Sequence, residues 1–218
     1  MSATNTKKTI LCFGDSNTWG FVPGSDGERY GPDIRWPGVM GNVLGDEFSV
    51  IEEAQNGRMS VWEDPYEPTV SKCGLNHLPV VLESQKPLDL AIIMLGTNDL
   101  KNHMNHNAYA IAHGVTTLVD VVLASDAGPE NNPPLVLMIC PAPVSDWNCP
   151  FWHLFDTAPE ISRKLPAAYK EMAADRGVEF LNAGDFASCP DPDCIHIDSA
   201  GHASLGRAIA NKVREMFG

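Results

Sequence analysis

The chain has 218 residues, 44% of them apolar, which is enough for one substantial core and predicts a single domain spanning residues 1–218. Its formal net charge of -13, from 28 acidic and 15 basic residues, repels phosphate backbones and argues against nucleic acid as a partner. Residues 1–8 lack the apolar core of a signal peptide, and no stretch approaches the roughly 18 apolar residues of a membrane span. We therefore expect a cytoplasmic protein that does not bind membranes.

Six cysteines do not indicate a disulfide framework in such a chain, because cytosolic thiols stay reduced. A bridge between Cys189 and Cys194 would need an oxidising compartment, and the sequence leaves it open. The Cys and His residues within 189–202 and 103–106 lack the paired spacing of recognised zinc sites, so no metal is predicted.

Apolar runs and amphipathic stretches alternate along the chain and predict a regular series of strands and helices. Near-continuous apolar strands are typical of a parallel sheet that is buried on both faces. The alternation predicts a three-layer α/β/α sandwich with a central five-stranded parallel sheet of flavodoxin-like type, whose ligands lie beyond the carboxyl ends of the strands. The predicted strands are 9–13, 49–51, 88–95, 135–140 and 178–181, and the predicted helices are 36–44, 75–84, 107–124, 159–176 and 199–217.

Two long proline-rich connections, 22–37 and 142–160, follow strand ends and are predicted to form the wall of a pocket. Trp19 is the first candidate for a side chain of this pocket, with Trp147 and Trp152 on the second connection. Aromatic residues are also enriched in subunit interfaces, and this alternative stays open. The second connection carries a cluster of four aromatic residues, namely Trp147, Phe151, Trp152 and Phe155.

The first chemical motif, Gly14-Asp15-Ser16-Asn17, directly follows the first predicted strand. Because Gly14 permits a tight turn there, the Ser16 hydroxyl is expected at the active edge of the sheet. A serine after a strand also commonly caps the next helix, so this motif alone does not separate a nucleophile from a cap.

Two further strand ends carry groups that can stabilise a negative charge. Asn98, in Gly-Thr-Asn-Asp after the third strand, offers an amide donor suited to an oxyanion hole. Gly57 follows the second strand and allows close approach of its backbone N–H. Ordinary turn chemistry is the alternative explanation for each residue when it is taken alone.

The last motif, Asp193-Cys194-Ile195-His196, precedes the final helix. A carboxylate three residues before an imidazole can hold the ring in one tautomer and stabilise the imidazolium that forms in general-base catalysis. Asp191 and Asp198 lie close by, so the choice of the orienting carboxylate stays open.

Taken in order, these motifs resemble the four blocks of the SGNH (GDSL-type) hydrolase superfamily over nearly the whole chain. The resemblance implies that Ser16 is the nucleophile, His196 the general base and Asp193 its orienting partner. It also implies an oxyanion hole made of the Ser16 and Gly57 N–H groups and the Asn98 side chain.

A narrower resemblance rests on the segments 14–21, 33–36, 51–53 and 92–99, which look like those of bacterial arylesterases and acyltransferases. It implies short-chain acyl esters, aryl acetates among them, acyl transfer to alcohols or peroxide in some members, and homo-oligomers. Asn17 replaces the leucine of the GDSL motif and is not expected to affect the chemistry.

The predicted reaction is acyl transfer through an acyl-enzyme on a small-molecule ester, and it requires no cofactor. A carbohydrate acetylesterase with the same triad is the alternative within enzymes. A non-catalytic carbohydrate-binding module that retains the fold is the alternative outside them.

Overall fold

The computed structural model describes residues 7–145 and 150–218. Its centre is a five-stranded parallel sheet in the order β2-β1-β3-β4-β5, which confirms the predicted fold class. The strands are β1 (Lys8–Gly14), β2 (Phe48–Ala54), β3 (Leu90–Met94), β4 (Leu135–Cys140) and β5 (Glu179–Asn182). The helices are α1 (Ser16–Trp19), α2 (Trp36–Leu44), α3 (Gly74–Gln85), α4 (Ala108–Leu123), α5 (Trp152–Phe155), α6 (Ala158–Ser162), α7 (Leu165–Arg176) and α8 (Ser199–Phe217).

Helices cover both faces of the sheet and create two hydrophobic cores. Along β1, Ile10 and Cys12 face the core formed with α2 and α8, whereas Leu11 and Phe13 face the core formed with α3, α4 and α7. This division follows from the alternation of side chains along a strand, and it explains why β1 must be apolar at every one of these positions. No helix in the described parts of the chain has the length and apolarity needed to cross a membrane.

The predicted helix at 159–176 is wrong in one respect, because the structure divides it into α6 and α7. Pro166 lies at the start of α7. A proline inside one continuous helix would lack the N–H that bonds to the carbonyl of Ser162, and its ring would clash with that carbonyl. The other four predicted helices agree with the structure to within one residue at each end.

Strand β2 differs from the fully buried strand that its apolar run predicts. It pairs only with β1 at the edge of the sheet, and its side chains are mostly half-buried. The four-residue helix α1 is too short to leave a periodic pattern in the sequence and was not predicted.

The strand order determines where chemistry can occur. Connections from β1 and β3 run to opposite faces of the sheet, so a crevice opens between the carboxyl ends of these two neighbours. Ser16 follows β1 and Asn98 follows β3, which places both at this crevice.

Candidate active site

Ser16 is the first residue of α1, directly beyond the carboxyl end of β1. Asp15 caps the helix, and its Oδ1 accepts a hydrogen bond of 2.9 Å from the backbone N–H of Asn17. Helix and strand lie so close that a Cβ atom on Gly14 would come within 2.0 Å of the Thr18 hydroxyl oxygen. Only glycine therefore fits before this turn, and the turn directs Ser16 toward the crevice.

His196 lies between Ser16 and Asp193. Its Nε2 is 2.9 Å from the Ser16 hydroxyl oxygen, and its Nδ1 is 2.8 Å from Asp193 Oδ2. All three residues are buried, and Asp193 is fully inaccessible. The structure thus brings together the three residues for which the sequence predicts catalytic roles, in a hydrogen-bonded line that ends at the serine.

Burial acts to raise the pKa of Asp193. This effect is outweighed by the hydrogen bond from the His196 ring, the charge of that ring and the backbone N–H groups of His196 and Ile195, so the pKa lies below its usual value. The two N–H groups lie 2.9 and 3.0 Å from Asp193 Oδ1. Oδ2 also accepts a bond of 3.0 Å from the Gly24 N–H. An ionised carboxylate held at several points is well suited to orient an imidazole.

The two other acidic residues near His196 have different contacts. Asp198 caps α8 and accepts a bond of 2.7 Å from the Gly201 N–H. Asp191 Oδ1 lies 3.5 Å from the Cys194 sulfur. Among the three carboxylates, the contact with the His196 ring is made by Asp193.

Gly57 and Asn98 lie on loops that are tied to each other. The Asn98 side-chain amide donates a bond of 3.2 Å to the Arg58 carbonyl. Asp99 accepts bonds of 3.0 and 2.5 Å from the backbone N–H and hydroxyl of Ser60. Gly57 has a φ of 79°, a backbone conformation that favours glycine. Asn98 and Asp99 thus hold the loop of residues 57–60 in place. The sequence analysis did not predict this function of Asp99.

A cavity of about 210 Å³ opens at these groups, and its lining includes Ser16, Gly57, Asn98 and His196. Phe21 also lines it and stacks on the His196 ring, with ring centroids 4.4 Å apart. Phe21 was missed in the sequence, where its only signal is an aromatic residue on the loop that follows the serine. Four further apolar side chains of the lining come from other segments, namely Phe151, Leu154, Phe155 and Ile195.

The predicted tryptophans do not line this cavity in the described part of the chain. The Trp19 ring instead lies against the Arg29 guanidinium, 4.9 Å from its carbon. Trp152 is 62% exposed. It lies on α5 two residues before Leu154, and a helix places residues two apart on nearly opposite sides, so Trp152 points away from the cavity that Leu154 lines. Trp147 lies outside the described residues.

Lys101 and Glu67 add a charged part to the lining. The Lys101 ammonium lies 2.8 Å from Glu67 Oε1 and 2.6 Å from Asp64 Oδ2. Burial acts to lower the pKa of Lys101, but these two carboxylates raise it above its usual value. Lys101 is therefore a fixed positive charge beside the cavity. Sequence reasoning assigned no role to either lining residue.

The structure also bears on the cysteines and on the zinc sites that were considered in the sequence. Cys189 is a buried free thiol, so the structure does not contain the bridge to Cys194 that the sequence left open. Cys12, Cys73 and Cys140 are likewise buried free thiols. Within residues 7–145 and 150–218, no cluster of three or more His, Cys, Asp or Glu side chains is arranged to hold a metal ion. Cys149 lies outside these ranges.

The buried carboxyls of Asp15 and Asp99 give a testable dependence of stability on pH. Burial raises the pKa of each from 3.8 to about 6. The folded chain therefore holds these protons more tightly than the unfolded chain, and the free energy of unfolding falls as the pH rises from about 4 to above 6. At pH 8 each carboxyl lowers the free energy of unfolding by about 3 kcal/mol at most.

Replacing Asp99 with asparagine is expected to remove its share of this cost and keep an acceptor for Ser60. Denaturant unfolding of both proteins at pH 5 and pH 8 should show the variant gaining roughly 1–3 kcal/mol relative to wild type at the higher pH. The exposed residue Asp26, replaced in the same way, serves as the control. An unchanged difference at the two pH values would contradict the prediction.

A serine, a histidine and an aspartate lie in a hydrogen-bonded line at the carboxyl edge of the parallel sheet, an arrangement that is typical of α/β hydrolases. The GDSL-like lipase/acylhydrolase family model matches residues 12–203. The chain belongs to this family. A comparison with curated protein sequences gave no match.

Solved structures of esterases have the same fold over nearly their full length. A carbohydrate acetylesterase from Sinorhizobium meliloti is 39% identical with a TM-score of 0.90, over 96% of this chain and 100% of that one. The aryl esterase of M. smegmatis is 40% identical with a TM-score of 0.89, over 95% and 99%. A putative arylesterase from Agrobacterium tumefaciens is 35% identical with a TM-score of 0.86, over 95% and 99%. Together with the family match, these neighbours identify the chain as a carboxylic ester hydrolase of the SGNH type, which does not support a non-catalytic binding module.

Proposed function

We propose that this chain is a single-domain serine esterase that hydrolyses short-chain acyl esters, aryl acetates among them, through an acyl-enzyme on Ser16. The observation that carries the proposal is the hydrogen-bonded line from Asp193 through His196 to the Ser16 hydroxyl, which opens on a small cavity. Backbone N–H groups preorganise Asp193 at this edge.

In the proposed cycle, His196 Nε2 accepts the Ser16 proton while the serine oxygen attacks the ester carbonyl. The imidazolium, stabilised by Asp193, then gives that proton to the leaving alcohol. A water molecule gives a proton to His196 and attacks the carbonyl carbon of the acyl-enzyme. The bond between that carbon and the Ser16 oxygen then breaks, the imidazolium returns the proton to Ser16, and the carboxylic acid leaves. An added alcohol or peroxide in place of water would complete an acyl transfer instead.

The negative charge on the carbonyl oxygen is assigned to three donors, the Ser16 and Gly57 N–H groups and the Asn98 amide. Replacing Asn98 with alanine is expected to lower kcat by roughly 10²- to 10³-fold, because a preorganised donor acts mainly on the transition state. Ester turnover and thermal stability are measured together, with Ser60→Ala as a control that loosens the same pair of loops away from the cavity. Equal losses in the two variants would contradict the role of Asn98.

The size of the cavity favours a short acyl chain, because its volume of about 210 Å³ is less than the roughly 300–1,000 Å³ of typical ligand pockets. Kinetics on an aryl ester series from acetate to octanoate tests this. We expect kcat/KM to fall at least about tenfold between acetate and hexanoate. The same series with added alcohol measures transfer against hydrolysis. Equal or rising kcat/KM for octanoate would overturn the short-chain proposal.

A carbohydrate acetylesterase is the second candidate. It is favoured by the charged pair Lys101 and Glu67 in the cavity lining, since such groups bind the hydroxyls of a sugar better than an aryl ring. The carbohydrate acetylesterase from S. meliloti among the similar structures adds support. Comparing kcat/KM for an aryl acetate and an acetylated oligosaccharide decides between the two, because the preferred leaving group gives the larger value.

We also propose that the protein acts in the cytoplasm, on small molecules rather than on nucleic acid or membranes, and as a homo-oligomer. The free thiols of Cys12, Cys73, Cys140 and Cys189 support a reducing compartment. Aromatic residues are enriched at protein interfaces, and their exposure on the described surface supports self-association. The exposed aromatic side chains are Tyr66, Tyr109, Phe151, Trp152 and Phe186. Sedimentation analysis that finds only monomers at micromolar concentration would overturn the oligomer.

A further inference from the structure

Asn17 follows the proposed nucleophile directly, and its side chain reaches the segment that carries His196. Its amide nitrogen donates a bond of 3.2 Å to the Ile195 carbonyl, and its amide oxygen accepts a bond of 3.0 Å from the Ile197 N–H. Asn17 is 5% exposed and its bonded partners are equally buried. The two bonded residues are the immediate neighbours of His196 on either side.

We propose that Asn17 is a positioning residue for His196, setting the distance between the proposed general base and the Ser16 hydroxyl. This inference rests on the proposed function. Asn17 shares a peptide bond with Ser16, and its own N–H is held by the Asp15 carboxyl. The pair of bonds to residues 195 and 197 repeats the pattern that a residue of a parallel strand makes with its neighbour. The serine turn and the histidine segment therefore form one unit.

The histidine segment needs such an anchor, because residues 186–198 contain no strand and no helix longer than a turn. Asp193 holds this segment from within, through the N–H groups of residues 195 and 196. Those bonds orient the ring relative to its own loop. The bonds from Asn17 instead tie the loop to the nucleophile, which is 180 positions away in sequence from His196.

An asparagine suits this task because its amide presents one donor group and one acceptor on a short side chain. Leucine, the residue of the GDSL motif, has similar volume and neither group. The contacts of Asn17 therefore replace the expectation from the sequence that this position does not affect the chemistry. Asn17 is absent from the cavity lining within the described residues. Its loss should therefore lower the rate of the chemical step and leave substrate binding nearly unchanged, which distinguishes positioning from a role in the pocket.

The test is the steady-state kinetics of Asn17→Leu on an aryl acetate, with the rate normalised to the folded fraction. We expect kcat to fall by roughly 10- to 100-fold with KM within about twofold of wild type, and Asn17→Gln, which keeps the amide, to recover part of the loss. The control is Asn182→Leu, which removes an asparagine that bonds the Asp185 side chain and the Gly184 N–H in another loop. It is expected to keep wild-type kcat.

A kcat of Asn17→Leu within about twofold of wild type would overturn the inference, and so would a rise in KM that accounts for the whole loss of kcat/KM. If Asn17→Leu does not fold, Asn17→Ser is measured and judged by the same criteria. Ser16→Ala is assayed alongside. An active Ser16→Ala would refute the proposed function itself, whereas an inactive Ser16→Ala with a fully active Asn17→Leu refutes only the positioning role.

Discussion

Replacement of Ser16 with alanine is expected to lower kcat for an aryl acetate by roughly 10⁴- to 10⁶-fold. The Ser16 oxygen is the atom that would form the acyl-enzyme, and its hydrogen bond to His196 Nε2 provides the path for its proton. Residual turnover would reflect the proposed oxyanion donors and binding alone. The measurement is steady-state hydrolysis, with covalent labelling by a serine-directed phosphonate as a second readout.

The matched control for this prediction is Ser84→Ala. Ser84 is exposed near the end of α3, where its hydroxyl donates to the Val81 carbonyl, so its loss should leave activity unchanged. The phosphonate should label wild type and Ser84→Ala equally and leave Ser16→Ala unlabelled. Turnover by Ser16→Ala within about tenfold of wild type would rule out the acyl-enzyme on this residue.

Replacement of Asp193 with asparagine is expected to lower kcat by about 10⁴-fold while preserving the fold. The amide has nearly the same shape as the carboxylate, but its N–H₂ group would face His196 Nδ1 and hold the ring in the tautomer that cannot accept the Ser16 proton. It would also remove the negative charge that stabilises the imidazolium. Asp193 is fully buried, so solvent does not compensate for the loss of that charge.

Asp191→Asn and Asp198→Asn are the controls, since the sequence alone did not choose among the three carboxylates. An asparagine at position 198 can still cap α8, and Asp191 has no contact with the His196 ring. Both variants are expected to stay within about fivefold of wild-type kcat. A larger loss of kcat in either control than in Asp193→Asn would contradict the assignment of the orienting role to Asp193.

The sequence predicted the layers of the fold well, because burial imposes a simple pattern. A strand covered on both faces must be apolar throughout, as β1 is, and a helix on its surface must repeat apolar residues at helical spacing, as α8 does. The exceptions have local or positional causes. Pro166 interrupts a helix from within, and β2 lies at the edge of the sheet, a position that its own residues do not encode.

The candidate site was predicted where motifs follow strand ends, and less well where side chains meet across loops. Ser16, Gly57, Asn98 and His196 line one cavity, as their positions after strands or before the last helix led us to expect. The pocket wall was predicted in part. Phe151 and Phe155 of the predicted aromatic cluster line the cavity, whereas Trp152 is exposed and no residue of the connection 22–37 is part of the lining. No pattern in one sequence reveals which of these side chains face the cavity before the loop is folded.

The sequence by itself determined the elements, their parallel arrangement and the groups available for catalysis, since periodicity and motif order are properties of the chain. Only the tertiary structure decided which groups touch. It selected Asp193 over its acidic neighbours, placed Phe21 against His196, and joined Asn17 to the histidine segment. The physical reason is range: hydrophobic patterning acts between nearby residues, whereas a hydrogen bond across 178 positions exists only after the sheet has brought its loops together.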